Sequence, residues 1–364
     1  MYQLNIYYKT VYITLWCAIF FSCGSIHQRN KEAREDEKTL HKSIESQRLI
    51  QYSTFASKET VPVDEALDSD SADDPAIWCN KNDMEKSRIY GSNKLGGIYV
   101  YDLNGNVEQY FQCGKINNID IRDYHGNSYI AGSNRTDNTI MISRLDSNGS
   151  ILISTTVRIP LDMNPYGFCL GVSDNSLFAF VNDKQGKIEQ WQVDVSEPKN
   201  TRLKRTFNVK TQPEAMVYDD KKYLYVGEEE CCIHQFDILT GQDIIFENSR
   251  NHNNENISYD IEGLCLFNNA GEEYILASSQ GNFSFAIFDV SNKRYINSFK
   301  IVGGNNIDGV EETDGIDINQ RIMTSEFPKG IMVVQDGFNT YNEIAEPQNF
   351  KIVDMQSILH LLEK

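Results

Sequence analysis

Positive charge is scarce in this sequence. Its 364 residues include 34 Lys and Arg against 52 Asp and Glu, which gives a formal net charge of −18. So acidic a chain repels nucleic acid and anionic membrane surfaces, and we expect neither as a partner. Acidity of this kind usually serves solubility, but carboxylates gathered at one site also repel each other until a divalent cation neutralises them. Clustered carboxylates would therefore indicate a cation site.

Long apolar runs are also lacking. The N-terminal run over 11–21 is too short to span a bilayer as a helix, but with Lys9 before it the run fits the hydrophobic region of a signal peptide. Cys23, between Ser22 and Gly24, resembles the processing site of a bacterial lipoprotein. We predict a signal peptide over 1–22 and a lipid on Cys23, with plain secretion as the alternative. The protein would be exported, and either held at the outer membrane or cell surface by this lipid alone or secreted.

Residues 24 to about 60 lack an apolar core pattern and are strongly charged, as in QRNKEAREDEKTLHKSIESQR. Such composition is typical of a flexible or partly helical linker. We therefore predict a lipid-anchored tether over 23–60 and a folded domain over 61–364, which we expect to be a monomer.

Zinc-binding patterns are missing too. None of the eight cysteines belongs to a CxxC pair or a Cys/His cluster. Cys17 would leave with the signal peptide, and six cysteines remain in the domain: Cys79, Cys113, Cys169, Cys231, Cys232 and Cys265. Most lie in apolar, strand-like runs, so we interpret them as small buried hydrophobic residues. Export would nonetheless permit disulfides.

What the sequence does contain is an internal repeat. Six strand-like segments end at or near an aspartate, and consecutive aspartates are 43 to 52 residues apart: Asp102, Asp146, Asp194, Asp237, Asp289 and Asp336. Two more apolar runs precede each segment; in the first unit they are DDPAIW and RIYGSN, and in the sixth DGIDI and RIMTSE. Several short strands in each unit of about 45 residues predict an all-β protein, a six-bladed β-propeller. A β-sandwich with accidental periodicity is the alternative that two aligned motifs in six units disfavour.

Superposing the six units brings polar residues into register. The middle runs end at Lys94, Arg135, Lys184, Glu229, Gln280 and Glu326. The upstream runs begin at Asp73 and Asp74, Asn118, Tyr166, Glu214, Glu262 with Asp260, and Asp314. Because equivalent positions of successive blades surround the channel, we expect both rings at one mouth of the propeller.

Charge is divided unevenly around these rings. The first three units supply Lys94, Arg135 and Lys184, which are donors suited to phosphate oxygens. The later units supply carboxylates, which are hard oxygen ligands suited to Ca²⁺: Glu214, Glu229, Asp260, Glu262 and Asp314. Neither ring contains histidine, which argues against zinc, copper or non-haem iron there. A single Lys or Glu at a strand end is usually a solvated charge, so the prediction depends on the coincidence of many.

Two longer stretches carry a resemblance to a known family. DSADDPAIW (70–78), apart from Ser71, and NNIDIRD (117–123) match the two signatures of the β-propeller phytases, and the similarity extends from about residue 59 to about 355. The resemblance implies calcium ligation by Asp73, Glu214, Glu229, Asp260, Glu262, Gln280 and Asp314. It implies that Asp74 binds a more structural calcium between the first two blades. It also implies substrate phosphate contacts from Lys94, Arg135, Tyr166 and Lys184.

Two departures from the family pattern matter. Leu95 stands where relatives often have a second lysine, which weakens the expected second phosphate subsite, and Ala215 replaces the glycine expected after Glu214.

The resemblance implies a calcium-dependent phytase that hydrolyses myo-inositol hexakisphosphate, as its calcium complex, to phosphate and lower inositol phosphates. Attack by a calcium-bound water is expected, with Asp73, Glu214, Glu229, Lys94 and Arg135 as the catalytic set. Other phosphatase signatures are absent: there is no RHGxRxP motif or P-loop, and the Cys-x5-Arg spacing from Cys23 lies in the exported leader. Two alternatives stay open, a non-catalytic calcium-binding propeller that captures inositol phosphates and a lactonase-like propeller hydrolase.

Overall fold

The computed structural model describes residues 38–67, 69–304 and 306–363. The chain divides into two compact units, Met1–Ser46 and Gln47–Lys364. A helix, α1, covers 38–49. None of the helices in the described ranges is both long and apolar enough to cross a membrane. The predicted signal peptide and Cys23 lie outside the described residues.

Strands dominate the second unit. Two short strands come first: β1 (Tyr52–Thr54) and β2 (Lys58–Glu59). Blade 1 contains β3 (Ala72–Trp78), β4 (Arg88–Asn93), β5 (Gly97–Tyr101) and β6 (Val107–Gln112). Blade 2 contains β7 (Ile116–Tyr124), β8 (Asn127–Asn134), β9 (Thr139–Arg144) and β10 (Val157–Pro160). Blade 3 contains β11 (Phe168–Ser173), β12 (Ser176–Asn182), β13 (Lys187–Val193) and β14 (Arg202–Asn208).

The later blades follow the same plan with one variation. Blade 4 contains β15 (Pro213–Tyr218), β16 (Tyr223–Glu228), β17 (Cys232–Asp237) and β18 (Asp243–Ile245). Blade 5 contains β19 (Leu264–Asn269), β20 (Glu272–Ser279), β21 (Ser284–Asp289) and β22 (Arg294–Ile301). Blade 6 contains β23 (Ile316–Asn319), β24 (Ile331–Asp336) and β27 (Asn349–Asp354), with a hairpin of β25 (Thr340–Tyr341) and β26 (Ile344–Ala345) between the last two.

The first strand of each blade lines the centre. These strands contact one another in the closed order β3, β7, β11, β15, β19, β23 and back to β3. Within each blade, neighbouring strands pair antiparallel. The predicted six-bladed β-propeller is confirmed.

Chain closure involves the N-terminal strands. β2 pairs antiparallel with β27, with Lys58 opposite Ile352, and so supplies the outer strand of blade 6. β1 adds to blade 5, parallel to β22, with Thr54 opposite Ile301. The predicted tether over 23–60 is therefore too long, because its last residues are strands of the propeller. A strand of two or three residues has too little pattern to be recognised when its partner lies some 250 to 290 residues away.

The sixth unit also differs from its prediction. The run RIMTSE (321–326) is not a strand; it lies in the loop between β23 and β24, which contains Pro328. β24 is consequently the second strand of blade 6, and its mouth end is Gln335 and Asp336. Glu326 is half-exposed and pairs with Lys58 of β2, with its Oε2 2.5 Å from Nζ. The placement of Glu326 in the mouth ring was wrong.

The core lies between neighbouring blades, where each sheet packs its faces on the next. Tyr101 of blade 1 contacts Phe350 of blade 6, for example, and both rings are fully buried. Glycine permits the closest approach: a Cβ on Gly91 would lie 2.2 Å from the Phe350 ring, which leaves no room for a side chain. Helix α2 (Met355–Leu359) ends blade 6, begins at its cap Asp354, and buries Met355.

Aspartates on the inner strands join neighbouring blades. Asp74 accepts a hydrogen bond from the Ile119 amide (2.9 Å), and Asp120 accepts one from the Leu170 amide (2.9 Å). Asp317 in turn accepts one from the Ile77 amide (2.8 Å), which links blade 6 to blade 1. Burial raises the pKa of Asp317 to about 7, and the neighbouring Asp120 adds to the shift.

The domain cysteines divide into two kinds. Four are free and buried, as interpreted from the sequence: Cys79, Cys113, Cys169 and Cys265. Cys231 and Cys232, adjacent in sequence, are joined in a disulfide at the start of β17.

Candidate active site

One mouth of the channel gathers the predicted polar residues. Second strands β4 and β8 end in Asn93 and Asn134, and the amide oxygens of these residues accept hydrogen bonds from the backbone two residues later, at 2.8 and 2.9 Å. Each asparagine thereby forms the turn in which the next residue, Lys94 or Arg135, lies at the mouth. The cavity there has a volume of about 410 Å³, and it is lined by residues that include Lys94, Tyr166, Glu214, Glu262, Gln280 and Asp314.

Three glutamates form the acidic centre of this site. Glu214, Glu229 and Glu262 each place a carboxylate oxygen within 4.8 Å of the other two. All three residues are less than 9% exposed. Asn117 donates to Glu214 Oε1 at 2.7 Å, and Gln212 donates to Glu229. These amides orient the carboxylates but carry no charge to neutralise them.

Lys94 lies inside a second group of carboxylates. Its Nζ is 2.9 Å from Asp314 Oδ2, 2.8 Å from Asp70 Oδ1 and 3.5 Å from Asp73 Oδ1. Gln280 donates to Asp314 Oδ1 at 2.6 Å, which extends the group to blade 5. One cation is thus shared among three aspartates, and Asp73 Oδ2 is buried without a hydrogen-bond partner in the described part of the chain.

Protonation follows from this crowding. Burial raises the pKa of Glu229 to about 8, and the charges of Glu214 and Asp260 raise it further against the opposing hydrogen bond from Gln212. Burial also raises the pKa of Glu262 well above its ordinary value, with Glu214 as the next contribution. Desolvation and like charge both favour the neutral acid, so the cluster cannot be fully ionised near neutral pH unless a cation joins it.

The basic side of the mouth centres on Tyr166. Lys184 Nζ lies 3.9 Å from the centroid of the tyrosine ring, and the Arg135 guanidinium lies 5.8 Å from it. Arg135 also donates to Asn117 Oδ1 at 3.0 Å. The aromatic face holds two cations on one side of the cavity, and Asn117 connects them to Glu214. A polyanion could therefore contact the cations while one of its groups faces the acidic centre.

Comparison with known proteins identifies the family. The model of the Phytase family matches residues 37–364. The chain belongs to the phytase family. It is 37% identical over 325 residues to the 3-phytase of Bacillus subtilis (strain 168), a match that covers 84% of this chain and 85% of that protein. Among solved structures, BBS1N in complex with ARL6DN is similar at 13% identity, over 73% of this chain and 74% of that one, with a TM-score of 0.44 that bears no weight here.

Most residues that the phytase resemblance implied lie together at the mouth. Asp260 belongs to the acidic side, because burial raises the pKa of its carboxyl and the charges of Glu230 and Glu214 add to the shift. Asp74 lies apart, on the channel side, where it joins the first two blades by its bond to Ile119. Leu95 is 42% exposed at the rim and adds no cation to the basic side.

Several site residues were missed by sequence reasoning. Asn117 was interpreted as a turn residue, although it links Arg135 to Glu214. Asp70 and Glu312 were not singled out, yet Asp70 pairs with Lys94, and Glu312 lines the cavity with a pKa that burial raises to about 7. The first two belong to the motifs DSADDPAIW and NNIDIRD, so the signal was present; Glu312 has no repeat equivalent that would reveal it.

Proposed function

We propose that this chain is a calcium-dependent phytase, which hydrolyses the phosphomonoester bonds of myo-inositol hexakisphosphate and releases phosphate and lower inositol phosphates. The observation that carries this proposal is the opposition, across one mouth, of three buried glutamates with oxygens within 4.8 Å and two cations held on Tyr166. Membership of the phytase family supports the substrate, and its 3-phytase relative supports the reaction type.

The donor set fits calcium. Every candidate ligand is a hard oxygen donor, and the buried Asp73 Oδ2 lacks a hydrogen-bond partner in the described residues. Asp73, Glu214, Glu229, Asp260, Glu262, Gln280 and Asp314 would hold calcium at the mouth, and Asp74 would hold it in the channel. Bound calcium would supply positive charge and Lewis acidity at the phosphoryl group and its attacking water.

The chain's own residues then have distinct tasks. Arg135 and Lys184 bind phosphate oxygens and fix the orientation of the inositol ring. Tyr166 positions those two cations. Lys94 balances Asp73 and Asp314, so the predicted role of Lys94 in phosphate binding is joined to a second one, electrostatic support of the acidic centre.

Two arcs of opposite charge favour a substrate with adjacent phosphates. One phosphate would lie at the acidic, metal-holding side while its neighbour contacts Arg135 and Lys184, so that binding of the second group orients the first. Leu95 reduces this advantage because it adds no further cation.

The test is a comparison of kcat/KM for phytate, as its calcium complex, with kcat/KM for a simple phosphomonoester at the same pH and free calcium. We expect phytate to be favoured by roughly 100-fold, the contribution of one charge-assisted phosphate contact or two. Equal values would reject the two-arc proposal, and no phosphate release from either substrate would favour a non-catalytic propeller that captures inositol phosphates.

We also propose that the chain is an exported monomer, attached to the membrane only by a lipid on Cys23. The N-terminal signal pattern of the sequence supports this proposal. Replacing Cys23 with Ala should move the protein from the membrane fraction to the soluble fraction; an unchanged distribution would reject lipidation.

A further inference from the structure

A second cluster of metal-binding side chains lies next to the mouth, in blade 4. The hairpin of β16 and β17 places Glu228 directly opposite Cys232, and His234 follows two residues later on the same face of the strand. With Cys231 from the turn, these residues each offer one ligand atom, and the four atoms lie within 4.8 Å of one another. None of the four belongs to the calcium-binding set described above.

The distances within the cluster are those of a small metal site. His234 Nε2 is 3.0 Å from Glu228 Oε2 and 3.5 Å from Cys232 Sγ. Tetrahedral zinc, at about 2.0 Å from nitrogen and about 2.3 Å from sulfur, separates its ligand atoms by roughly 3.3 to 3.8 Å. Small shifts of side chains would therefore complete the coordination.

Neighbouring groups orient the cluster as outer residues do around zinc. Asp243 contacts His234 Nδ1 at 2.9 Å, and because a carboxylate only accepts, this nitrogen carries the proton. The Nε2 lone pair of the neutral ring then faces Glu228 and Cys232. A carboxylate behind a histidine is the usual support of a zinc ligand. Thr211 holds the other oxygen of Glu228 through its hydroxyl at 2.8 Å, which leaves Oε2 for a metal.

Charge and burial agree with a metal. Cys232, Glu228 and His234 are at most 5% exposed, whereas Cys231 is partly exposed and gives access from solvent. Arg250 lies 3.2 Å from Cys231 Sγ. Two thiolates and one carboxylate carry three negative charges, which a divalent cation and this guanidinium would balance.

We propose that Glu228, Cys231, Cys232 and His234 form a binding site for a soft divalent metal of the zinc class, available when the Cys231–Cys232 disulfide is reduced. Thiolate and imidazole ligands favour zinc over calcium. The metal would fix the turn 229–231, which carries Glu229 to the mouth. Neither a CxxC pair nor a conventional Cys/His spacing announces the site, which explains why the sequence predicted none.

Reduction must precede binding, because thiolates and not disulfides ligate zinc. A water-soluble phosphine supplies the electron pair that breaks the S–S bond and takes an oxygen atom from water as its oxide. The two protons of that water leave on the two sulfurs, and the incoming metal displaces them to the buffer.

The experiment uses the full chain, reduced by a phosphine under inert gas and kept in excess calcium so that hard oxygen ligands are occupied. Cobalt(II) is added as a spectroscopic probe, and zinc is then added as competitor. We expect one cobalt per chain, a thiolate-to-cobalt charge-transfer band, and its loss on addition of one equivalent of zinc. The oxidised chain should give no band.

Matched variants locate the site. Cys232→Ser and His234→Gln should lose or strongly weaken the band, while Cys113→Ser, which removes another buried thiol, should keep it. If Cys232→Ser does not melt cooperatively, Cys231→Ser provides the same test at a partly exposed position. Absence of the band in the reduced chain, or an equal band in the Cys231→Ser variant, would overturn the proposal.

Discussion

At the scale of single residues, the mouth separates carboxylates from cations. Glu229 belongs to the triad of buried glutamates, whereas Arg135 contacts Tyr166 and Asn117 on the other side. Their substitutions should therefore fail in different ways. A lost carboxylate removes support for the transition state, whereas a lost guanidinium removes binding of a phosphate in both the ground and transition states.

We expect Glu229→Gln to lower kcat by roughly 100-fold or more and to weaken calcium affinity. Arg135→Ala should raise KM for phytate by roughly 10- to 100-fold with calcium affinity unchanged, as loss of a charge-assisted phosphate contact implies. Steady-state kinetics and calcium titration of both variants provide the measurement.

Two control variants match these substitutions. Glu326→Gln makes the same chemical change at a residue that the repeat alignment placed at the mouth and the structure places beside Lys58, so its kinetics should be those of the parent. Arg144→Ala removes an exposed arginine from the far end of β9. If Glu326→Gln lost activity as Glu229→Gln does, or if Arg135→Ala lost calcium, the assignment of the two sides would be wrong.

Sequence predicted most of the site because its residues recur at repeat positions. Lys94, Arg135 and Glu229 each follow the second strand of a blade, and the period alone brings them together. Contacts such as that of Asn117 with Glu214, across 97 residues, depend on how blade 2 meets blade 4 over the channel. No period in the chain encodes that approach.

At the scale of elements, closure of the ring depends on β2. It gives blade 6 its outer strand and brings Glu59 to the fully buried Lys351, with 2.6 Å between Oε2 and Nζ. Asp336 also approaches this lysine, with its Oδ2 3.2 Å from Nζ. A buried ammonium that loses one of its carboxylates is destabilised.

A chain that begins at residue 61 should therefore melt well below a chain that begins at 47, because it lacks β1, β2 and the partner Glu59. Thermal melts monitored by circular dichroism compare the two directly. Equal melting temperatures would show that these strands contribute nothing to the fold, and that the boundary predicted from the sequence is adequate.

The first five blades were predictable because each has its own strands in sequence order. Blade 6 was not, since it skips RIMTSE as a strand and takes its last strand from the N-terminus. A two-residue strand such as β2 carries no periodic signal. Its pairing is fixed by the geometry of a ring that must close.

At the scale of the whole molecule, acidity becomes a dependence on pH and calcium. Burial raises the pKa of Glu229 to about 8 and of Glu312 to about 7, above the value near 4.3 of an unfolded glutamate. Between these limits the folded, metal-free chain binds more protons than the unfolded chain, so its free energy of unfolding should fall as pH rises from about 5 to about 8.

Calcium should reverse this behaviour because it stabilises the ionised carboxylates. Melting temperatures between pH 5 and 8 should fall in chelator and change little in excess calcium. A melting temperature that rises with pH in chelator would contradict the assignment of buried, mutually repelling carboxylates.

The calcium-dependent hydrolysis of phytate is tested most directly by phosphate release from the intact chain, first in chelator and then with free calcium restored, with magnesium as the matched control. The account predicts no release in chelator, recovery with calcium, and little recovery with magnesium, whose smaller octahedral shell does not suit a wide cluster of carboxylates. Unchanged phosphate release in chelator would contradict it.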